Sequence, residues 1–298
     1  MLLKYFRSFY STNYPNDMEQ CIDAFSVFGG FYEPLNLDLT IKELIRTEIL
    51  LKYEKHYNYI SAIVQNDRDT RYLLMAIAIG DRRIDSALKK AHLSRAKGAA
   101  VLEFLHQNSI IEVERSREKI PKKIYPKQQL KREIARHRIS HKLRFKIPFL
   151  RFWFYFIEPH HKDIKNGNFQ TTLDFYERHC QAFSGYVFEE LSNLLLVNTH
   201  ESKIINSGSY WDKNVEIDIL ALTQKMQIIV GECKWTNHKV NKKELHKLED
   251  KCDKLQLTPD LIVLFSKRGF SNELVNCADD KLKLYKAEDF KVLLTNNS

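Results

Sequence analysis

The chain has 298 residues, of which 44% are hydrophobic and 29% charged, and its formal net charge is +9. This length and composition allow two or three domains with cores of ordinary size and exclude a wholly disordered chain. The longest apolar runs, 72–79 and 149–157, are far too short to cross a bilayer. The five cysteines are scattered without a C-x-x-C pair, so neither a disulfide framework nor a zinc site is indicated. With no signal-peptide cleavage site, a cytoplasmic protein is expected, without a membrane partner.

The N-terminal part, residues 1–66, has the pattern of a helical segment. Apolar residues at helical spacing predict helices over 18–28 and 37–57. Gly29 and Gly30 interrupt the pattern between them, as glycines do at helix ends. An unrelated helical N-terminal domain is the bland interpretation of the same pattern.

Residues 67–147 show the succession of a winged helix. Helices are expected over 71–79, ending at Gly80, over 84–91, and from an N-cap at Ser94 to Asn108, followed by a wing that begins at 110–114. The third helix of such a unit enters the major groove with its first residues, which makes Arg95, Lys97 and the small Gly98 candidates for DNA contact. The alternative is a winged helix that only packs against its neighbours.

The strongest electrostatic signal lies in the predicted wing. Between 115 and 146 there are thirteen Lys and Arg against two Glu, a net +11 that exceeds the +9 of the whole chain. Such density is typical of polyanion binding, because each neutralised phosphate releases counterions. A solvated basic loop is the ordinary alternative. The candidates for DNA binding in this run are Lys122, Lys123, Lys127, Lys131, Arg132, Arg136 and Arg138.

Residues 148–170 are expected to connect two domains. The stretch 148–159 is almost entirely aromatic and aliphatic, which predicts a buried helix, and a linker is expected to continue to Gln170. Residues 171–298 form the predicted C-terminal domain.

The only residues that look like a catalytic constellation lie between Asn214 and Trp235. Alternation in the first strand places Glu216 and Asp218 on one face and Val215, Ile217 and Ile219 on the other. The second strand ends in E-C-K, so Glu232 and Lys234 share a face and Cys233 points to the opposite, buried side.

Asp218 and Glu232 are oxygen donors of the kind that hold Mg²⁺, and a nearby Lys234 can position a water or stabilise developing charge. For the two carboxylates to lie opposite each other, the hairpin must turn around Lys225, with an odd-length loop near 223–227. The alternative is a surface hairpin in which Glu and Lys only form a cross-strand ion pair.

A helix is predicted upstream, from the apolar spacing between Ser184 and Leu196. Together with Asp218, Glu232 and Lys234, its Gly185, Phe188 and Glu189 occur in the order of the PD-(D/E)XK nuclease superfamily, which the chain resembles here. Ile217 stands where that superfamily usually has a proline. The resemblance implies a site of Glu189, Asp218, Glu232 and Lys234, with Asp218 and Glu232 on Mg²⁺ or Mn²⁺. Glu190, adjacent on the same helix, is an alternative to Glu189.

A narrower likeness covers the last third of the chain. The stretches 210–218, 231–235 and 265–270 resemble the C-terminal domain of a family of prokaryotic ATPases, catalogued as domain of unknown function 234. In that family a helical lid with a Gly-Gly turn closes the ATPase domain, and residues 1–66 are similar to it. No G-x-x-x-x-G-K-[ST] motif occurs, so no nucleotide cofactor is expected and the ATPase core is absent.

After the second strand, a helix over 242–257, a strand over 261–265, a helix over 272–278 and a strand over 282–285 are expected. The fold class is therefore α/β, or α+β overall, with a restriction-endonuclease-like mixed sheet flanked by helices. The expected function is DNA binding with Mg²⁺-dependent phosphodiester hydrolysis. Two alternatives stay open: an inactive DNA-binding or regulatory module that works with a separate ATPase, and a protein–protein scaffold.

Overall fold

The protein is described by a computed structural model over residues 1–31, 33–118, 128–129 and 139–295. A helical N-terminal part precedes a five-stranded mixed sheet with flanking helices, which confirms the predicted fold class. No helix within these ranges is both long and apolar enough to span a membrane. Several basic candidates fall outside the described residues, namely Lys122, Lys123, Lys127, Lys131, Arg132, Arg136 and Arg138.

The N-terminal helices are α1 (Leu2–Asn13), α2 (Met18–Phe28), α3 (Ile41–Leu44), which continues as a π-helix (Ile45–Leu50), and α4 (Tyr53–Ile63). Helix α2 has the predicted bounds and ends before Gly30, whose φ of 88° suits a residue without Cβ. The single helix predicted over 37–57 is wrong. A capping box of Thr40 and Glu43 starts the helix at Ile41, and the π-helix and a turn separate it from α4.

The winged-helix unit, residues 68–118 and 139–145, follows the predicted succession. Its elements are α5 (Arg68–Ile79), α6 (Ile84–Lys90), α7 (Arg95–Gln107), β1 (Ile111–Glu114) and β2 (Lys142–Phe145). Ser94 caps α7 by accepting a hydrogen bond from the Lys97 N–H at 3.3 Å. The two strands pair antiparallel, with Ile111 opposite Phe145.

Gly98 packs inside the winged-helix unit and does not face outward toward a DNA groove. A Cβ at this position would lie 2.3 Å from Leu88 Cδ2, on the neighbouring helix α6. The glycine therefore allows the two helices to approach closely, and it is not placed to contact DNA. This packing explains a residue that by itself weakens a helix by about 1 kcal/mol relative to alanine.

The connecting segment is a buried aromatic helix, as predicted. Helix α8 (Pro148–Phe152) continues as a π-helix (Trp153–Ile157) and a 3₁₀ turn (Glu158–His160), and Phe152, Trp153 and Phe154 are fully buried. The expected linker to Gln170 contains a short helix, α9 (His161–Lys165), before α10 (Gln170–Thr199) begins.

The C-terminal sheet has the strand order β3-β4-β5-β6-β7. The first three strands are antiparallel, and β5, β6 and β7 run parallel. The elements are β3 (Ile204–Trp211), β4 (Glu216–Thr223), β5 (Ile228–Lys234), α11 (Lys242–Lys254), β6 (Leu261–Ser266), α12 (Asn272–Val275), β7 (Leu282–Lys286) and a 3₁₀ helix (Ala287–Leu294).

Helices cover both faces of this sheet. On one face, the buried residues of α10, such as Phe188 and Leu191, belong to the same core as Ile219 and the N-terminal helices. On the other face, Leu245 and Leu248 of α11 pack with Val230 in a second, smaller core. The end of the β4–β5 hairpin that carries the candidate site therefore lies between α10 and α11.

Candidate functional site

The β4–β5 hairpin has the predicted register. Ile219 pairs with Gly231 and Leu222 with Ile228, so the turn is centred on Lys225. The Thr223 N–H donates to the Gln227 carbonyl at 3.0 Å and closes this turn. The same register brings Asp218 next to Glu232 at the end of the hairpin.

One face assignment in β4 is wrong. Ile217 packs in the core beneath α11, whereas Ile219 packs in the core beneath α10, so the two side chains are on opposite sides of the sheet. A register shift against β3, between Gly208 and Tyr210, causes this change. Asp218 lies at the shift, where the regular alternation of β4 is broken.

Asp218 is a desolvated carboxylate between two strands. Its Oδ2 accepts a hydrogen bond from the Cys233 N–H of β5 at 2.8 Å. Burial and the neighbouring charge of Glu232 raise the pKa of Asp218 to about 6, although the Cys233 bond opposes this. The Cys233 side chain itself is buried on the α10 side, as predicted.

Glu232 is buried and has an ammonium group on each oxygen. Lys234 Nζ lies 2.6 Å from Oε1, and Lys251 Nζ of α11 lies 2.7 Å from Oε2. Burial lowers the pKa of Lys234, but Glu232 and neighbouring carboxylates outweigh it and raise that pKa above its ordinary value. Lys251 was not predicted. It precedes Cys252, which lies on the buried stripe of α11, but only the packing of α11 on β5 shows which carboxylate it meets.

The structure separates the two adjacent glutamates of α10. Both line the cavity that Asp218 faces, but only Glu189 has Asp218 as a strong electrostatic neighbour: burial followed by the charge of Asp218 raises the pKa of Glu189 to about 8, against a lowering by Arg82. Glu190 instead pairs with Arg144 of β2, with 3.1 Å between Oε1 and Nε. Glu189 is therefore the glutamate beside Asp218, and Glu190 contacts the winged-helix unit.

A polar cavity of about 30 Å³ lies between α10, β3, β4 and the winged-helix unit. Its lining includes carboxylates, two guanidinium groups and an amide, namely those of Glu189, Glu190, Asp218, Arg82, Arg144 and Asn193. Asn193 Oδ1 is buried without a hydrogen-bond partner. Two desolvated carboxylates and an orphaned amide oxygen are donors that suit a hard cation such as Mg²⁺, which binds few carboxylates and keeps its waters. A group of three His, Cys, Asp or Glu side chains poised for a metal does not occur in the described part of the chain.

The predicted metal pair of Asp218 and Glu232 is therefore only half supported by this geometry. Asp218 faces the cavity with Glu189, whereas both oxygens of Glu232 bind lysines. Glu189 and Asp218 are the two carboxylates that fit the cation best, and Glu232 joins them only if a lysine moves.

The winged-helix unit forms the opposite wall of the cavity. Arg82, in the left-handed backbone region with φ of 64°, donates to the Tyr186 hydroxyl at 2.8 Å and lies over its ring. Tyr186 is on α10, one turn before Glu189 and Glu190. Sequence patterns alone did not indicate Arg82, because it lies in a short connection between two helices.

Three bases of the predicted polyanion-binding run serve internal contacts instead. Arg117 donates to the Leu220 carbonyl at 2.7 Å, Lys142 Nζ pairs with Glu216 Oε1 at 2.6 Å, and Arg144 binds Glu112 and Glu190. These contacts attach the β1–β2 hairpin to the sheet and to α10. Most of the remaining bases of the run, between residues 119 and 138, lie outside the described residues.

The two candidates for DNA contact on α7 are exposed. Arg95 and Lys97 both lie in the first turn after the Ser94 cap. The nearest carboxylate of Lys97 is Asp69, with 3.6 Å between Nζ and Oδ2, and such an exposed pair is weak.

Part of the chain matches the model of a known family. Residues 153–248 match DUF234, a family described as archaea bacterial proteins of unknown function. The DUF234 match contains α10 and the strands that carry Glu189, Asp218, Glu232 and Lys234, but it covers less than half of the chain. Neither the curated proteins nor the solved structures contain a match to this chain.

Proposed function

We propose that the protein binds DNA and hydrolyses phosphodiester bonds with Mg²⁺ or Mn²⁺ at a site of the PD-(D/E)XK type. The observation that carries the proposal is the proximity of Glu189, Asp218, Glu232 and Lys234 at the open end of the β4–β5 hairpin. Like charges in a desolvated site are costly unless a cation binds them. The raised pKa values of Glu189 and Asp218 are the signature of that cost.

In this proposal each residue has a separate role. Asp218, fixed by the Cys233 N–H, and Glu189 supply oxygen ligands, and Glu232 orients Lys234. Lys234 keeps its positive charge and is a donor for the attacking water or a phosphate oxygen. A bound divalent cation supplies acidification of water and charge for the phosphate oxygens.

The DNA-binding part of the proposal is supported by charge. Residues 119–138 carry eight Lys or Arg against one Glu, a net +7, and Arg95 and Lys97 are exposed at the start of α7. Binding through phosphates predicts an affinity that falls steeply with salt. A protein–protein scaffold predicts no salt-dependent affinity for DNA at all.

The test is cleavage of plasmid, linear and branched DNA by the full chain in Mg²⁺, Mn²⁺ or EDTA. Wild type is compared with Asp218→Ala and Glu232→Ala, and Glu249→Ala on the exposed side of α11 is the matched control. Metal-dependent products that vanish in both site variants and persist in the control support the nuclease. Products of equal yield in Asp218→Ala would refute this site.

A second candidate function is a catalytically inactive DNA-binding or regulatory module that works with a separate ATPase. One observation favours it: both oxygens of Glu232 are held by lysines, as in a purely structural ion-pair network. It predicts salt-dependent DNA binding without products in any metal, and no effect of Asp218→Ala on that binding. The likeness of residues 1–66 to an ATPase lid is the reason for proposing an ATPase as the partner.

A further inference from the structure

Lys234 and Lys251 bind the same carboxylate but are held differently. Besides Glu232 Oε1, Lys234 Nζ lies 3.5 Å from Glu244 Oε2, so it has a second anionic neighbour on α11. Among the described residues, the carboxylate of Glu232 is the one ion-pair partner of Lys251. If Glu232 binds another cation, Lys234 therefore keeps an ion pair with Glu244, whereas Lys251 loses its ion pair.

The backbone of Lys251 is nevertheless fixed against the sheet. Leu248 and Cys252, on either side of it along α11, are buried in the core under the sheet. Its side chain, in contrast, is 28% exposed, so the ammonium can leave Glu232 by rotation of its own bonds while the helix stays in place.

The charge of Lys251 substitutes for a cation. A buried carboxylate needs a positive partner, and here Glu232 Oε2 has an ammonium at 2.7 Å on the side that faces α11. Asp218, whose pKa Glu232 raises, is the next carboxylate along the hairpin. A divalent cation held by Asp218 and Glu189 that takes Glu232 as a further ligand must compete with Lys251 for Oε2, while Lys234 keeps Oε1.

We propose that Lys251 is a positioning residue that occupies Glu232 in the metal-free protein, gives up Oε2 to a divalent cation, and then presents its ammonium to a phosphate oxygen. This inference rests on the proposed function, since it assigns a residue to that metal site. It implies that Lys251 weakens metal binding and yet supports hydrolysis. Substitution of a residue that only stabilised the fold would change metal affinity and hydrolysis rate in the same direction.

The test is titration of the full chain with Mn²⁺ by calorimetry, with DNA cleavage as the second readout. Lys251→Met is expected to bind Mn²⁺ roughly tenfold more tightly, because Glu232 loses a competing charge at contact distance. The same variant is expected to cleave more slowly at saturating Mn²⁺. Lys254→Met, at an exposed position on the same helix, is the matched control and is expected to match wild type in both. Lys251→Arg restores the charge and is expected to return the affinity toward wild type.

Each outcome is decisive. Folded Lys251→Met with Mn²⁺ affinity equal to or below that of wild type overturns the inference and leaves the metal site standing. Absence of Mn²⁺ binding in wild type and variant alike rejects both the inference and the metal-dependent function. If Lys251→Met does not fold, Lys251→Gln, which keeps polar contact with Glu232 but no charge, carries the same expectation.

Discussion

Asp218 Oδ2 accepts a hydrogen bond from the Cys233 backbone N–H at 2.8 Å, so the first strand of the hairpin fixes its carboxylate on the second. The bond leaves the other oxygen of Asp218 available to the cavity that it shares with Glu189. A neutral amide can keep the bond and remove the charge. An Asp218→Asn variant therefore separates the effect of this hydrogen bond from the effect of the charge.

Asp218→Asn is expected to raise the free energy of unfolding of the metal-free protein at pH 8 by about 1 kcal/mol, because it removes repulsion between buried carboxylates. The same variant is expected to lose Mn²⁺ binding. Urea unfolding and Mn²⁺ titration measure the two effects. A variant that is less stable than wild type at pH 8 would show that the charge of Asp218 stabilises the fold.

The stability of the metal-free protein is expected to fall as the pH rises from about 4.5 to about 8. The pKa of Glu189 is raised from 4.5 to about 8 by burial, then by Asp218, with Glu216 adding to the increase and Arg82 and Arg151 opposing it. In this range the folded state binds more protons than the unfolded state, so each increase in pH favours unfolding.

The measurement is the midpoint of urea unfolding across this pH range in EDTA. Glu189→Gln is expected to flatten the dependence, and saturating Mg²⁺ is expected to weaken it in wild type. Glu177→Gln, an exposed position on the same helix, is the control and keeps the wild-type slope. An unchanged slope in Glu189→Gln would remove Glu189 as its source.

Glu189 and Glu190 are expected to give opposite phenotypes. Glu189→Gln removes a cavity carboxylate, so Mn²⁺ affinity falls while the contact of α10 with β2 remains. Glu190→Gln removes one of the two carboxylates that Arg144 binds, so stability falls by about 1 kcal/mol while Mn²⁺ affinity is kept. Calorimetric titration and chemical unfolding of the two variants decide the assignment, and reversed phenotypes would contradict it.

Gly98→Ala is expected to destabilise the protein in spite of the better helix propensity of alanine. The new Cβ would meet Leu88 Cδ2 at 2.3 Å, and overpacking of this kind costs about 1–3 kcal/mol against a propensity gain of about 1 kcal/mol. Thermal unfolding tests this, with Ala99→Ser at the next, exposed position of α7 as the control.

The Gly98→Ala effect should depend on Leu88. In a double-mutant cycle, Leu88→Ala provides space and is expected to relieve most of the penalty of Gly98→Ala. If Gly98→Ala melts above wild type, the close approach of α6 and α7 does not limit the substitution.

Local sequence signals gave several elements with nearly the right bounds. Gly29 and Gly30 end α2, Ser94 starts α7, and the requirement that Asp218 lie opposite Glu232 placed the hairpin turn at Lys225. Each of these features depends on a few residues that are neighbours in the sequence, so a short stretch of sequence is enough to predict it. The same local signals failed over 37–57, because a π-helix has no distinct apolar period there.

Contacts between residues far apart in the sequence could not be predicted from such local signals. Alternation predicted Ile217 and Ile219 on one face, but the shift of β4 against β3 places them on opposite faces. Helical spacing does not show which of the adjacent Glu189 and Glu190 faces Asp218. The ion pair of Glu190 with Arg144 on β2 separates them. Lys251 and Arg82 reach the site from elements distant in sequence.

The sequence by itself determined the fold class, the order of the helices and strands, the hairpin register and the residue types available for a metal site, because periodicity, caps and turns act over short distances. Only the tertiary structure decided which glutamate joins Asp218, which lysines hold Glu232 and which bases of the basic run are used internally. Those outcomes depend on burial and on charges brought together by packing, and neither is encoded in any local stretch of the chain.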